Sequence, residues 1–342
     1  MPERQPFFPS LIVIAFVSIL VLVHCQPQSI AAPPTITLIP TAAALSTSPP
    51  TATPTPLPLA ATLPRPPASP TPSPGPTSLP PTSPAAPTST PAESNPVVRD
   101  LGLSGNGYPI QAFQMGSGDH HLMIVGGIHG GYEWNSILLA YGLWDYFADE
   151  PERLPEGVRL TIVPALNLDG QFAVTGQTGR FTPADVGADT TIGRLNGRGV
   201  DLNRNWPCNW QPTGTWRQQP VSGGSEPFSE IENRHLNYFI TLEQPDLVIF
   251  LHSALPGVLI GSCDGQEAAT TRAWAQAYAT ASGYPLYDTF AAYEVTGDAS
   301  DYLAIVGIAS FTVELTDHFV IELDRNVSGV RQVLAAMKGE DN

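Results

Sequence analysis

Four chemically capable side chains stand where apolar runs of this sequence end. "HLMIVGGI" runs into His129, with Glu133 just beyond it in "HGGYE". "DLVIFL" runs into His252, and "ASFTV" into Glu314. "LTIVPAL" delivers Asn167 and Asp169 in the same way. Two neutral imidazoles and one carboxylate are a common zinc set that leaves one position open. His129 and Glu133 would be the local pair and His252 the distant third ligand. A plainer reading stands beside it: a helix start whose early glutamate suits the helix dipole, and a strand-end histidine satisfied by hydrogen bonds.

"RLNGRGVDLNRNW", residues 194–206, adds cations. An arginine next to an asparagine can fork onto a carboxylate through two parallel hydrogen bonds. Asn203 and Arg204 would hold a substrate carboxylate, and Arg194 could stabilise an oxyanion. The alternative is a surface arginine cluster. Three arginines, Arg194, Arg198 and Arg204, in so acidic a chain weigh against it.

These residues need a frame. Apolar runs bounded by turn residues predict strands at "HHLMIVGGI", "VRLTIVPAL", "PDLVIFLHS", "PGVLIGS" and "IASFTVEL". Helical spacing appears in "EWNSILLAYGLWDYFAD", "SEIENRHLNYFITLE", "QEAATTRAWAQAYATAS", "DASDYLAIVG" and "DRNVSGVRQVLAAM". Ser229, with Glu232 three residues on, reads as a helix cap. Strands alternating with helices predict an α/β fold, a mostly parallel mixed sheet with helices on both faces. Ligands of such sheets sit beyond the carboxyl ends of the strands, where the histidines and Glu314 emerge.

The frame does not fill the chain of 342 residues. Residues 1–25 hold the apolar run "FFPSLIVIAFVSILVLV", expected to be a signal peptide or a membrane anchor. Cys25 closes that run where a lipoprotein cysteine would stand. Each reading sends the rest of the chain out of the cytoplasm, secreted or tethered by this segment. Residues 26–97 are rich in Pro, Thr, Ser and Ala and are expected to form an extended, disordered spacer. Residues 98–342 make one domain. Glu3, Arg4, Arg65 and Glu93 cancel, so the formal charge of −16 falls on that domain. Such charge excludes a nucleic-acid backbone as partner, and nothing in the sequence implies an oligomer. Cys208 and Cys263 are either a disulfide or two thiols.

"GGIHGGYEW", "GVDLNRNW", "LHSA", "YEVTGDASDY" and "FTVELTD", in this order, resemble the zinc carboxypeptidases, the M14 metallopeptidases. The resemblance covers most of residues 104–337. It implies one Zn2+ held by His129, Glu133 and His252. It makes Glu314 the general base that activates the attacking water and returns the proton to the leaving amine. Arg194 would polarise the scissile carbonyl, Asn203 and Arg204 would clamp the terminal carboxylate, and Tyr293 would close over the substrate. "PALNLDG" is similar to a structural segment of the family. Ser300 takes the position that selects the terminal side chain, and a serine there points to no particular residue.

One spacing departs from the family. His129 and Glu133 are separated by one residue more than its His-x-x-Glu, and Gly130 and Gly131 are expected to fold the extra residue away as a bulge. The implied activity is hydrolysis of a peptide bond beside a free C-terminal carboxylate. Two relatives of that chemistry stay open: cleavage of cell-wall stem peptides, and hydrolysis of small N-acyl amino acids. A catalytically silent binding module would be expected to lack Glu314 or a ligand, and all are present.

Overall fold

The computed structural model describes residues 96–339. The calls on residues 1–25, on Cys25 and on nearly all of 26–97 lie outside the described residues. The strands are β1 (Val97–Leu103), β2 (Pro109–Gly116), β3 (His120–Val125), β4 (Val158–Val163), β5 (Thr213–Trp216), β6 (Gln219–Ser222), β7 (Leu247–Ser253), β8 (Gly257–Ile260), β9 (Leu286–Tyr287) and β10 (Ala309–Leu315). The helices are α1 (Trp134–Asp149), α2 (Leu168–Thr175), α3 (Ile231–Glu243), α4 (Thr271–Ser282), α5 (Ala299–Ile305) and α6 (Leu323–Met337).

Eight strands form one sheet in the order β1-β2-β4-β3-β7-β10-β8-β9, and β5 and β6 form a separate hairpin. β4, β3, β7 and β10 run parallel through the centre. β1 with β2, β2 with β4, and β8 with β10 are antiparallel. The α/β sheet expected from the sequence is therefore present, with its parallel core at the strands that carry the histidines and Glu314.

β7 is buried at every position, as an inner strand covered on both faces must be. Its side chains alternate between two cores. Leu247, Ile249 and Leu251 join a cluster with Leu143 of α1, Tyr278 of α4 and Val330 of α6. Val248 and Phe250 join another with Leu236 of α3 and Leu303 of α5. The five strands read from the sequence are β3, β4, β7, β8 and β10. β2 escaped because its inward positions include Ala112 and Gln114 rather than an unbroken apolar series, and β1 because it is an edge strand with no buried position. The expected cap of α3 is corrected: its N-cap is Glu230, without a side-chain cap bond. Ser229 Oγ instead donates to Glu230 Oε1 and accepts from Asn205 Nδ2.

Cys208 and Cys263 form a disulfide with an S–S distance of 2.03 Å. It joins the end of the "NRNWPC" segment to the turn after β8.

One buried polar group gives the fold a pH dependence. His121 of β3 is 1% exposed. Its Nε2 lies 2.8 Å from Thr161 Oγ1 and its Nδ1 3.3 Å from the Glu243 carbonyl oxygen. Burial, then the Arg159 charge, lowers its pKa from 6.5 to about 4. The unfolded chain therefore binds this proton first as pH falls, and the folded state loses stability between about pH 6.5 and pH 4. Between pH 7 and pH 5 the loss is roughly 2 kcal/mol. Urea midpoints of the parent and of His121→Gln at the two pH values test this. The parent should lose more stability than the variant, and equal losses would remove His121 as the cause.

Candidate metal centre

The site begins where β3 stops. Gly126, Gly127 and Ile128 carry the chain from Val125 to His129, and Gly130 to Glu133 then make a single 3-10 turn before α1 starts at Trp134. Gly130 has φ +47°, and a Cβ there would stand 2.7 Å from the Gly193 carbonyl oxygen. Only glycine takes that backbone at so close an approach. The extra residue between His129 and Glu133 is absorbed by this turn, with Gly130 the left-handed member and Gly131 not. Glu133 is thereby returned to His129, with Oε1 2.7 Å from His129 Nδ1.

His252 comes from the neighbouring strand β7, and Glu314 stands directly beside it in the parallel register of β10. Glu133 Oε2 lies 3.0 Å from His252 Nδ1. Ligand atoms of His129, Glu133 and His252 all lie within 4.8 Å of one another, and all three residues are buried. Glu133 Oε2 makes no hydrogen bond despite its short approach to His252. A buried carboxylate so placed, with one imidazole nitrogen at each of its oxygens, is what a bound cation would satisfy. The donor set is the one zinc takes, so these residues fit the metal.

Charge around the centre is tightly arranged. Burial opposes ionisation of Glu133, but His129 and His252 hold its carboxyl far below the usual range. Asp201, 0% exposed, lies with Oδ1 3.2 Å from His129 Nε2. Its carboxyl is also held well below normal: burial acts against this, and Arg194 and His129 outweigh it. His129 Nε2 makes no hydrogen bond to Asp201, but a carboxylate behind a ligating histidine favours its orientation with the other nitrogen toward the metal. Asp201 was not singled out in the sequence, although it sits inside "GVDLNRNW".

Arg194 is brought in by the same carboxylate. Its Nε donates to Asp201 Oδ2 at 3.0 Å, its NH2 lies 2.8 Å from the same oxygen, and its NH1 lies 3.7 Å from Glu133 Oε1. Its guanidinium lies over Trp216, 4.6 Å from the ring centroid. Asn167 accepts from Gly170 N as the cap of α2 and donates to the Arg194 carbonyl oxygen. Asp169 binds Ser104 Oγ and Gly197 N. Both act as structure around the site, in keeping with the reading of "PALNLDG".

Arg204 spends three of its five N–H groups on backbone carbonyls, NH1 on Asn203 and Nε and NH2 on Thr215. One N–H remains on each terminal nitrogen, the fork a carboxylate needs. Asn203 Nδ2 donates to Asp298 Oδ2 at 2.6 Å, and Asn203 Oδ1 accepts from Ala299 N. Asp298 caps α5 with its other oxygen, which also accepts from Ser300 Oγ.

One cavity of about 560 Å³ is lined by His129, Glu133, His252, Glu314, Arg194, Asn203, Arg204, Tyr293 and Ser300, so every residue singled out for the site borders the same space. Tyr293 packs its ring against Phe290, 4.7 Å between centroids. Burial pushes the Glu314 carboxyl up to about 8, with the His252 charge pulling the other way. A cation at the neighbouring ligands would lower it further toward the ionised form. Asp298 and Asp301, which the sequence reading placed near Ser300 as the makings of a polar pocket, line this space; the reading missed Trp216 and Arg217, which also line it, and His318, which packs against the lining Tyr132.

Sheet, ligand set and adjacent carboxylate lay out an α/β metallohydrolase site. The chain belongs to the zinc carboxypeptidase family, peptidase M14, which matches residues 94–323. It is 28% identical over 166 residues to carboxypeptidase B of Astacus astacus, across 45% of this chain and 52% of that protein. It is 30% identical over 151 residues to bacteriocin BCN5 of Clostridium perfringens, across 41% of this chain and 14% of that protein. The chain thus spans about half, or less, of the length of these curated relatives. Among solved structures, thrombin activatable fibrinolysis inhibitor superposes with a TM-score of 0.56 at 19% identity, covering 72% of this chain and 68% of that one. Carboxypeptidase A of Helicoverpa armigera gives 0.55 at 20% identity, covering 72% and 70%. These likenesses share the fold.

Proposed function

We propose that this protein is a zinc-dependent carboxypeptidase, which hydrolyses the peptide bond next to a free C-terminal carboxylate. The observation that carries the reading is the shared cavity. The zinc ligand set and Glu314 border it together with the two remaining N–H groups of Arg204. Zinc bound by His129, Glu133 and His252 would polarise the scissile carbonyl and acidify a water beside it. Glu314 takes a proton from that water and delivers it to the leaving nitrogen. Arg194, pinned on Asp201, keeps NH1 for the carbonyl oxygen as negative charge develops. Arg204 and Asn203 fix the terminal carboxylate, and Tyr293 covers the bound residue. An extracytoplasmic setting belongs to this reading, and the Cys208–Cys263 disulfide supports it.

The pocket for the terminal side chain supports a cationic residue. Asp298 and Asp301 stand beside Ser300 in its wall. Burial and then Asp298 push the Asp301 carboxyl up to about 8, with the Ser262 amide and the Arg204 charge pulling the other way. Peptides ending in Arg or Lys are expected to turn over roughly tenfold or more faster than peptides ending in Glu. Mass spectrometry of products from a peptide library and purified cell-wall fragments tests the whole reading. Removal of single C-terminal residues, Arg and Lys first, is the expected result. Cleavage confined to cell-wall fragments or to small N-acyl amino acids would replace it.

A further inference from the structure

Neither the metal centre nor the carboxylate clamp uses Arg217. It occupies the turn between β5 and β6 and borders the catalytic cavity. Arg217 and Gln218 have φ +47° and +64°. Two left-handed residues close a tight hairpin, a place usually given to Asn and Gly. The turn aims the arginine back over the site, its guanidinium 5.7 Å from the Trp216 ring centroid and 5.8 Å from that of Tyr132.

Several exposed or half-buried arginines of this acidic domain are paired: Arg153, Arg159, Arg180, Arg198, Arg272 and Arg325 each meet a carboxylate. Arg217 meets none among the described residues; its one side-chain hydrogen-bond contact is His318 Nε2 at 3.4 Å. A relay of hydrogen bonds holds that imidazole. Asn135 Nδ2 donates to the carbonyl oxygens of Asp317 and Val320, which leaves its Oδ1 as acceptor for Ser253 Oγ at 3.0 Å. Ser253 Oγ can then only accept from His318 Nδ1, 2.8 Å away. His318 is thereby the tautomer whose Nε2 accepts from Arg217. Beside it Tyr132, 4% exposed, borders the same cavity with a buried hydroxyl that has no hydrogen-bond partner.

Two groups of interacting side chains stand at the cavity. Asn203, Asp298 and Ser300 bond with one another next to Arg204. Tyr132, Trp216, Arg217, His318 and Ser253 touch one another. Tyr132 directly precedes the ligand Glu133 and Ser253 directly follows the ligand His252, so this second group is built onto the metal centre through its ligands. If the terminal carboxylate lies at Arg204 and the scissile carbonyl at the metal, Arg217 faces the residue on the acyl side of the bond. We infer that Arg217, set by His318 and accompanied by the Tyr132 hydroxyl, is a subsite for a second carboxylate, one carried by the residue that supplies the scissile carbonyl. The preferred substrates are peptides whose penultimate residue is anionic. The inference rests on the carboxypeptidase reading.

Such a carboxylate has two sources: the side chain of an acidic residue, or the α-carboxylate of a glutamate joined through its γ-carboxyl. Three peptides separate them: N-acyl-Ala-Gln-Arg, N-acyl-Ala-Glu-Arg, and the isomer in which Glu is joined to Arg through its γ-carboxyl. Each is assayed with the full zinc-loaded chain, Arg217→Gln and Arg217→Lys. In the parent, kcat/KM should be roughly five- to tenfold higher for at least one acidic peptide than for the Gln peptide, the scale of a partly exposed charge-assisted contact. The preferred peptide identifies the source. The ratio should fall to about one in Arg217→Gln and return in part in Arg217→Lys; a general loss of activity cancels within each ratio. Turnover of the Gln peptide with no acidic preference in the parent, or a preference that survives in Arg217→Gln, overturns the subsite alone. Failure of the parent on all three peptides overturns the carboxypeptidase reading and the subsite with it.

Discussion

Glu314→Gln should lose turnover by roughly a hundredfold to ten-thousandfold while still binding zinc. The amide matches the carboxylate in shape, so β10 keeps its register with β7 and His252 keeps its place. What disappears is the proton acceptor: a glutamine cannot take the proton of the attacking water or return it to the leaving nitrogen. The variant should not unfold. Burial already disfavours the charged form of Glu314, so a neutral side chain relieves a cost rather than adding one. Measured together, kcat/KM, bound zinc and melting temperature define the result. Parent-like hydrolysis by a zinc-loaded variant would show that another group moves the proton.

Zinc itself should bind at about one ion per chain and control both activity and stability. In the protein without metal, Glu133 is a buried carboxylate between two imidazoles, and its Oε2 makes no hydrogen bond. A cation supplies the missing partner for that oxygen and binds only the folded arrangement, since His252 and His129 are 123 positions apart in sequence. Zinc at a thousand times its dissociation constant would add about 4 kcal/mol to the stability of the native state. Chelation should abolish hydrolysis, zinc should restore it, and the melting temperature should fall and rise in step. His252→Ala should neither retain zinc nor show the rise. A parent that takes up no zinc after reconstitution, with an unchanged melting temperature, would remove the metal from the account.

Much of this site was legible before folding because its residues lie at the ends of strongly apolar strands. A parallel strand buried on both faces is largely an apolar run, so polar residues where it exits stand out. His129, His252 and Glu314 are therefore conspicuous in one dimension. Arg194, Asn203 and Arg204 were legible for another reason, as they stand close together in a short polar segment of a chain poor in cations. The helix start at Ser229 misled because the serine hydroxyl found a better-placed tertiary partner in Asn205. Asp201 was overlooked because a lone aspartate in a loop carries no periodicity. Only its approach to His129 and Arg194 gives it a role.

By itself, then, the sequence determined the class of sheet and offered the candidate ligands and clamp, which follow from local pattern and residue chemistry, while the part proposed for Glu314 came from the resemblance to the zinc carboxypeptidases. Tertiary structure alone decided three matters. Gly130 turns left-handed under the Gly193 carbonyl, so Glu133 returns to His129 despite the longer spacing. Cys208 reaches Cys263 and joins the clamp segment to the turn after β8. The β5–β6 hairpin carries Arg217 to His318, 101 positions further along the chain. Each depends on contacts between segments remote in sequence, and no local pattern encodes how two such segments will meet.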